Sequence, residues 1–170
     1  MRTLLRRTTA TAVALGTLTA GAVTLAPTAS AASCTKTTKT VDHPGYYGPW
    51  ADNWTLTARM CSYRSGSYIY SQARLSWDGP SWLGDPSQIF DSAAFRVYLK
   101  KHNRDGKDPV RRYKTFWIQN RLEAGDGSYT TSWIGYPISK WARGDGAWKL
   151  GWNNDGRGWI HYGVKASPLV

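Results

Sequence analysis

Two neighbouring runs, WTLTARMC (54–61) and YIYSQARLSW (68–77), alternate with a period of two and limit the chain to a few folds. Trp54, Leu56, Ala58 and Met60 share one side of the first run, with Thr55, Thr57 and Arg59 on the other. In the second, Ile69, Ala73, Leu75 and Trp77 oppose Tyr68, Tyr70, Gln72 and Arg74. Strands send successive side chains to opposite faces, so this pattern predicts half-buried strands. The RSGS between them (64–67) predicts a turn.

The alternation recurs. Phe95, Val97 and Leu99 point one way and Arg96, Tyr98 and Lys100 the other. In VRRYKTFWIQ (110–119), Phe116 and Ile118 set the inner face, leaving Arg111, Tyr113 and Trp117 outside. QIFDSAAF (88–95) also fits a helical face, but from Phe95 onward only the strand pattern holds. Further strands fit 128–133, 147–152 and 159–164, and long helices look absent. About seven short strands with turn signals between them predict an all-β chain, a single antiparallel sandwich or barrel.

Five Asp-Gly pairs punctuate the pattern, at 78, 105, 126, 145 and 155, and suit hairpin turns. Two of them open near-copies, GDGSYTTSW (125–133) and GDGAWKLGW (144–152). A calcium loop needs several oxygen ligands at alternating positions, and each copy offers one Asp between glycines. The expected reading is a turn followed by a core strand, with Tyr129 and Trp133, then Trp148 and Trp152, facing inward.

The first residues predict export. Arg2, Arg6 and Arg7 precede an apolar, threonine-studded stretch that ends in Ala29-Ser30-Ala31, an A-x-A cleavage site. Residues 1–31 are therefore read as a secretory signal peptide, and no other stretch is apolar enough to span a membrane. The expected location is secreted, extracellular. Cys34 and Cys61 are expected to pair there as a disulfide, and two sulfurs without a histidine cluster make a poor metal site. Neither a metal nor a cofactor is expected. Residues 32–53 read as an extended N-terminal arm: SCTKTTKT (33–40) is polar and unpatterned, and DHPGYYGPW (42–50) is aromatic but broken by Pro and Gly. Residues 54–170 form the sandwich.

The acids point away from catalysis. Glu123 is the sole glutamate, five aspartates sit in Asp-Gly pairs, and Asp85 and Asp108 precede prolines. No nucleophile elbow or phosphate-cradling loop is present. One enzymatic alternative survives on residue type: a small secreted ribonuclease with Glu123 as base, His161 as acid and Arg157 on the phosphate.

Charge and tryptophan carry the remaining signal. Without Arg2, Arg6 and Arg7 there are 19 basic against 11 acidic residues, about +8, which favours anionic surfaces. All 10 tryptophans lie beyond the signal segment. If the strands bearing Arg96/Tyr98/Lys100 and Arg111/Tyr113/Trp117 form a hairpin, these residues make one outward patch whose tip carries Lys101, Arg104 and Lys107. Arg112 and Lys114 have inward parity but can snorkel out near a strand end. Trp, Tyr and Arg are the residues most enriched at protein-binding hot spots. The partner-binding residues are thus expected to be Arg96, Tyr98, Arg111, Tyr113 and Trp117, with Tyr46, Tyr47 and Trp50 of the arm as a second anchor. The bland alternative is that the outer aromatics only shield a thin core.

An A-S-A signal ending, one Cys pair and the WTLTARMC…YIYSQARLSW hairpin together resemble small secreted β-sandwich proteins of actinomycete-type bacteria. The adaptor subunit of umbrella-shaped toxin particles is similar in organisation, a small secreted domain with an N-terminal arm. The resemblance is one of chain layout; it implies an interaction subunit of an extracellular bacterial assembly and transfers no residue roles. The expected function is a secreted, non-catalytic protein–protein adaptor. A module for cell-wall carbohydrate or an anionic wall polymer is the main alternative, and single-stranded nucleic acid a further ligand class.

Overall fold

A computed structural model describes residues 31–44, 52–80, 89–153 and 155–170. The signal segment and the arm aromatics Tyr46, Tyr47 and Trp50 lie outside the described residues.

The WTLTARMC and YIYSQARLSW runs become β2 (Trp54–Ser65) and β3 (Tyr68–Asp78), paired antiparallel from Thr55↔Asp78 to Ser65↔Tyr68. Their tight turn places Gly66 at φ +57, which glycine adopts without a Cβ penalty. Ser33–Val41 is a correction to the sequence reading. Read as part of an extended arm outside the sandwich, it is strand β1, at the outer edge of the sheet and paired with β2 from Ser33↔Ser62 to Val41↔Trp54. Both its faces carry Thr and Lys, so alternation is invisible in the sequence although β-branched Thr suits a strand. The Thr38 and Thr57 hydroxyls meet across the pair at 2.9 Å. Cys34 lies directly opposite Cys61, and the expected disulfide is present.

β4 (Phe90–Lys101) and β5 (Val110–Trp117) form the expected hairpin, with Tyr98↔Tyr113 in register and a bulge at Leu99/Lys100. A short helix, α1 (Gln119–Glu123), follows and buries Leu122. The first repeated phrase gives β6 (Gly127–Thr130), which pairs with β3, as does β7 (Ile134–Pro137). β8 (Ala142–Trp152) pairs with both β4 and β9 (Trp159–Gly163). Residues 164–170 continue beside β8, with Val164 N donating to Gly146 O and Ala142 and Val170 exchanging backbone hydrogen bonds.

Among the described residues there are thus nine strands, two more than expected, in two antiparallel sheets. One runs β1-β2-β3-β6, with β7 also on β3; the other runs β5-β4-β8-β9. Among the described residues no strand pairing joins them, so the architecture is a sandwich and not a barrel. The core lies between the sheets: Trp54, Leu56, Met60 and Ile69 on one side, and Phe95, Val97, Leu99, Trp148 and Leu150 on the other. Each such side chain contributes about 1.5–3 kcal/mol through burial.

The repeated phrase needs two corrections. Gly144-Asp145-Gly146 is not a turn; it lies inside β8. A Cβ on Gly144 would stand 1.9 Å from Ser71 Oγ of the opposite sheet, and one on Gly146 would stand 2.6 Å from the Phe95 ring on neighbouring β4 and 3.0 Å from Met60 Sδ across the sandwich, so both glycines leave room for close packing in the core. Trp148 and Trp152 are buried as expected, but Trp133 is exposed. Strand parity stops at Thr130, because the Thr131 hydroxyl accepts the Ala73 N–H and so takes a ladder position.

Candidate partner-binding face

The outer side of β5-β4-β8-β9 gathers the residues singled out from β4 and β5. By register, Arg96 stands opposite Thr115, Tyr98 opposite Tyr113, and Ala94 opposite Trp117. Arg96 donates from Nε to Thr115 Oγ1 at 2.9 Å and lays its guanidinium 4.8 Å over the Tyr113 ring. The Tyr98 and Tyr113 rings lie 6.4 Å apart. Lys100 sits 5.7 Å from the Tyr98 ring and pairs with Asp145 of β8. Arg111 is exposed beside the bulge. Of the eight expected partner-binding residues, Arg96, Tyr98, Tyr113 and Trp117 share one face; Arg111 is the unpaired residue of the bulge, and the three of the arm lie outside the described residues.

β8 and β9 extend the face in a way the sequence reading missed. Trp117 on β5 and Trp159 on β9 bring their rings within 5.9 Å. Three strand spacings, about 14 Å, separate those strands, so the indoles lean toward each other across β4 and β8. The outward positions beneath are Ala94 and Gly151, both buried although they point away from the core. Trp117 is still 68% exposed and Tyr113 58%, so the aromatic surface is available.

The face is also cationic. Lys149 holds its ammonium 4.7 Å over the Trp159 ring. Burial lowers its pKa, and the neighbouring Arg96 charge lowers it further. Asp145, the acid nearest in register, is already engaged by Lys100. The arrangement can therefore hold an anionic group between Arg96 and Lys149 while the indoles and tyrosines cover apolar surface around it.

The residues of the enzymatic alternative lie on different elements. Glu123 ends α1, and its Oε1 accepts the Phe90 N–H and Gln119 Nε2, both at 3.3 Å. His161 is exposed on β9, and Arg157 is exposed in the preceding loop.

A second aromatic group went unrecognised on the outer side of the other sheet. Tyr63 and Tyr70 stack at 4.9 Å, and Trp133 meets Tyr63 edge-on at 4.9 Å. Tyr68 and Tyr70 have outward parity in the sequence; Trp133 joins them only through the break after Thr130. Arg112 and Lys114, which have inward parity, are exposed and donate across the sandwich edge to the opposite sheet, to Gly135 O of β7 (2.9 Å) and Ser132 Oγ (3.4 Å).

Comparison with known proteins finds no matching family model, no matching curated protein and no matching solved structure.

Proposed function

We propose that this chain is a secreted, non-catalytic binding protein that docks on another secreted protein, as an adaptor in an extracellular bacterial assembly. The observation that carries the reading is the outer face of the four-stranded sheet. Its tryptophan pair, Trp117 and Trp159, is flanked by Tyr113 and by the cations Arg96 and Lys149. Large, rigid aromatic side chains beside arginine match the composition of hot spots. The charge selects an acidic partner surface, since Lys149 and Arg96 stand together without an acid between them and a carboxylate would relieve their repulsion. Export rests on the signal segment and agrees with the disulfide between Cys34 and Cys61. The arm residues Tyr46, Tyr47 and Trp50 are proposed as the second contact.

The test is co-purification of a tagged protein from culture medium. The wild type is expected to return a partner in fixed proportion, and a Trp117→Ala/Trp159→Ala variant to lose it while remaining folded. Return of the monomer alone, with the protein retained on wall fragments instead, would sink the adaptor reading and favour a wall-binding module.

A further inference from the structure

At one end of the sandwich, away from the tryptophan pair, the β4–β5 connection, the β2–β3 turn and residues 139–141 enclose an open cleft of about 870 Å³. Its walls are fixed. The Arg64 guanidinium donates to Ile138 O (2.8 Å), Lys140 O (2.7 Å) and Val170 O (3.3 Å), which pins the segment bearing Lys140 and Trp141. His102 N donates to Trp141 O at 2.8 Å, tying that segment to the opposite wall. Asp108 holds the opposite wall in turn: it accepts the Asn103 N–H at 2.9 Å and pairs with Arg143 and His102.

Three kinds of group line this fixed cleft. Trp141 is 61% exposed, an indole face held in water by backbone bonds on both sides. Asn103, Asp105 and Ser139 supply short polar side chains of the kind that bind hydroxyls. Lys101, Arg104 and Lys140 supply positive charge, against the one acid Asp105. We infer that this cleft is a binding site for an anionic saccharide, a pyranose-based chain carrying carboxylate or phosphate groups. The C–H face of a ring packs on Trp141, the ring hydroxyls bond Asn103, Asp105 and Ser139, and the acid group lies against Lys101, Arg104 and Lys140. A mononucleotide would satisfy the indole and the cations, but it would leave unused most of the hydroxyl-binding groups that line the cleft. This site is separate from the outer-face docking surface proposed above and does not depend on it.

The test is calorimetric titration with four probes: tetragalacturonate, maltotetraose phosphorylated at one 6-hydroxyl, unmodified maltotetraose and AMP. At least one anionic tetramer is expected to bind at least tenfold more tightly than maltotetraose, and which one it is identifies the acid group. Trp141→Ala is expected to weaken that binding at least tenfold. Lys101→Gln/Lys140→Gln is expected to abolish the preference over maltotetraose. All these side chains are at least partly solvent-exposed, and an unchanged urea midpoint checks that the variants fold. Trp117→Ala/Trp159→Ala is expected to bind the tetramer as the wild type does, even if partner capture is lost. The inference is overturned if neither anionic tetramer binds, if Trp141→Ala binds as well as the wild type, or if AMP binds as tightly as the tetramers.

Discussion

Gly144→Ala separates the two readings of the Gly-Asp-Gly phrase. As a turn glycine, Gly144 would cost about 1 kcal/mol on substitution, and the loss would not depend on what packs across the sandwich. In β8 the added methyl would instead stand 1.9 Å from Ser71 Oγ, 2.5 Å from Ser62 Oγ and 2.8 Å from Ser71 Cβ. Both serines are fully buried and bonded: Ser71 Oγ donates to Cys61 O (3.1 Å), and Ser62 Oγ accepts the Gly144 N–H (2.9 Å). Overpacking of this kind costs about 1–3 kcal/mol. Forcing a buried hydroxyl off its partner adds about 1–3 kcal/mol. The expected loss is therefore about 2–5 kcal/mol, read as a lowered urea midpoint at unchanged slope by tryptophan fluorescence. Ser71→Ala in the same background removes the nearest clashing atom, so the double variant should be more stable than the sum of the single losses by at least about 1 kcal/mol. A loss near 1 kcal/mol with additive double-variant behaviour would refute the packing argument and restore the turn.

Three further outcomes are expected. Burial alone would raise the Asp108 pKa, but the Asn103 N–H and Arg143 outweigh it and hold it below the usual carboxylate range. Its stabilisation is thus full above about pH 4, the unfolded-chain value, and is lost as pH falls through the lowered folded value. Asp108→Asn should cost about 1–3 kcal/mol at pH 7 and flatten that acid limb in urea titrations at stepped pH. Replacing Cys34 and Cys61 by Ser opens a bridge spanning 27 residues, and calorimetry should find a loss of about 3–4 kcal/mol by loop entropy. The Lys149 charge is penalised by burial and by Arg96, a penalty present at neutral pH and relieved as pH rises through its lowered pKa. Lys149→Met should therefore unfold no earlier than the wild type at pH 7 while capturing at least tenfold less partner from medium.

Where a strand has one apolar and one polar face, its orientation was legible. Trp54 to Met60 on β2, Ile69 to Trp77 on β3 and Phe95 to Leu99 on β4 all bury as their alternation requires. The hairpin that unites Tyr98 with Tyr113 followed from the same parity. Three features escaped it for distinct physical reasons. β1 is polar on both faces because it sits at an edge, so no period marks it. The chain between β6 and β7 is broken by a side-chain hydroxyl in a ladder position, which resets parity and puts Trp133 outside. Asp-Gly at 145–146 mimics a turn signal, yet its glycines are small for the sake of Ser62, Ser71 and Phe95 on other strands.

That last reason also explains why the candidate face was only half visible. On β8 the inward glycines let the sheets approach, while the outward positions Ala147 and Gly151 keep the surface low. Ala94 does the same on β4, so Trp117 and Trp159 meet above small residues at 94 and 151, with the Lys149 side chain opposite Ala94 laid over the Trp159 ring. The floor and the roof of this feature come from four strands between positions 94 and 159, and no single stretch records it. The alternation of one strand states which residues face out. Whether two outward tryptophans touch depends on the size of every residue between them in the sheet. A bulky residue at position 94 should therefore separate the indoles and weaken partner capture while leaving the core beneath untouched.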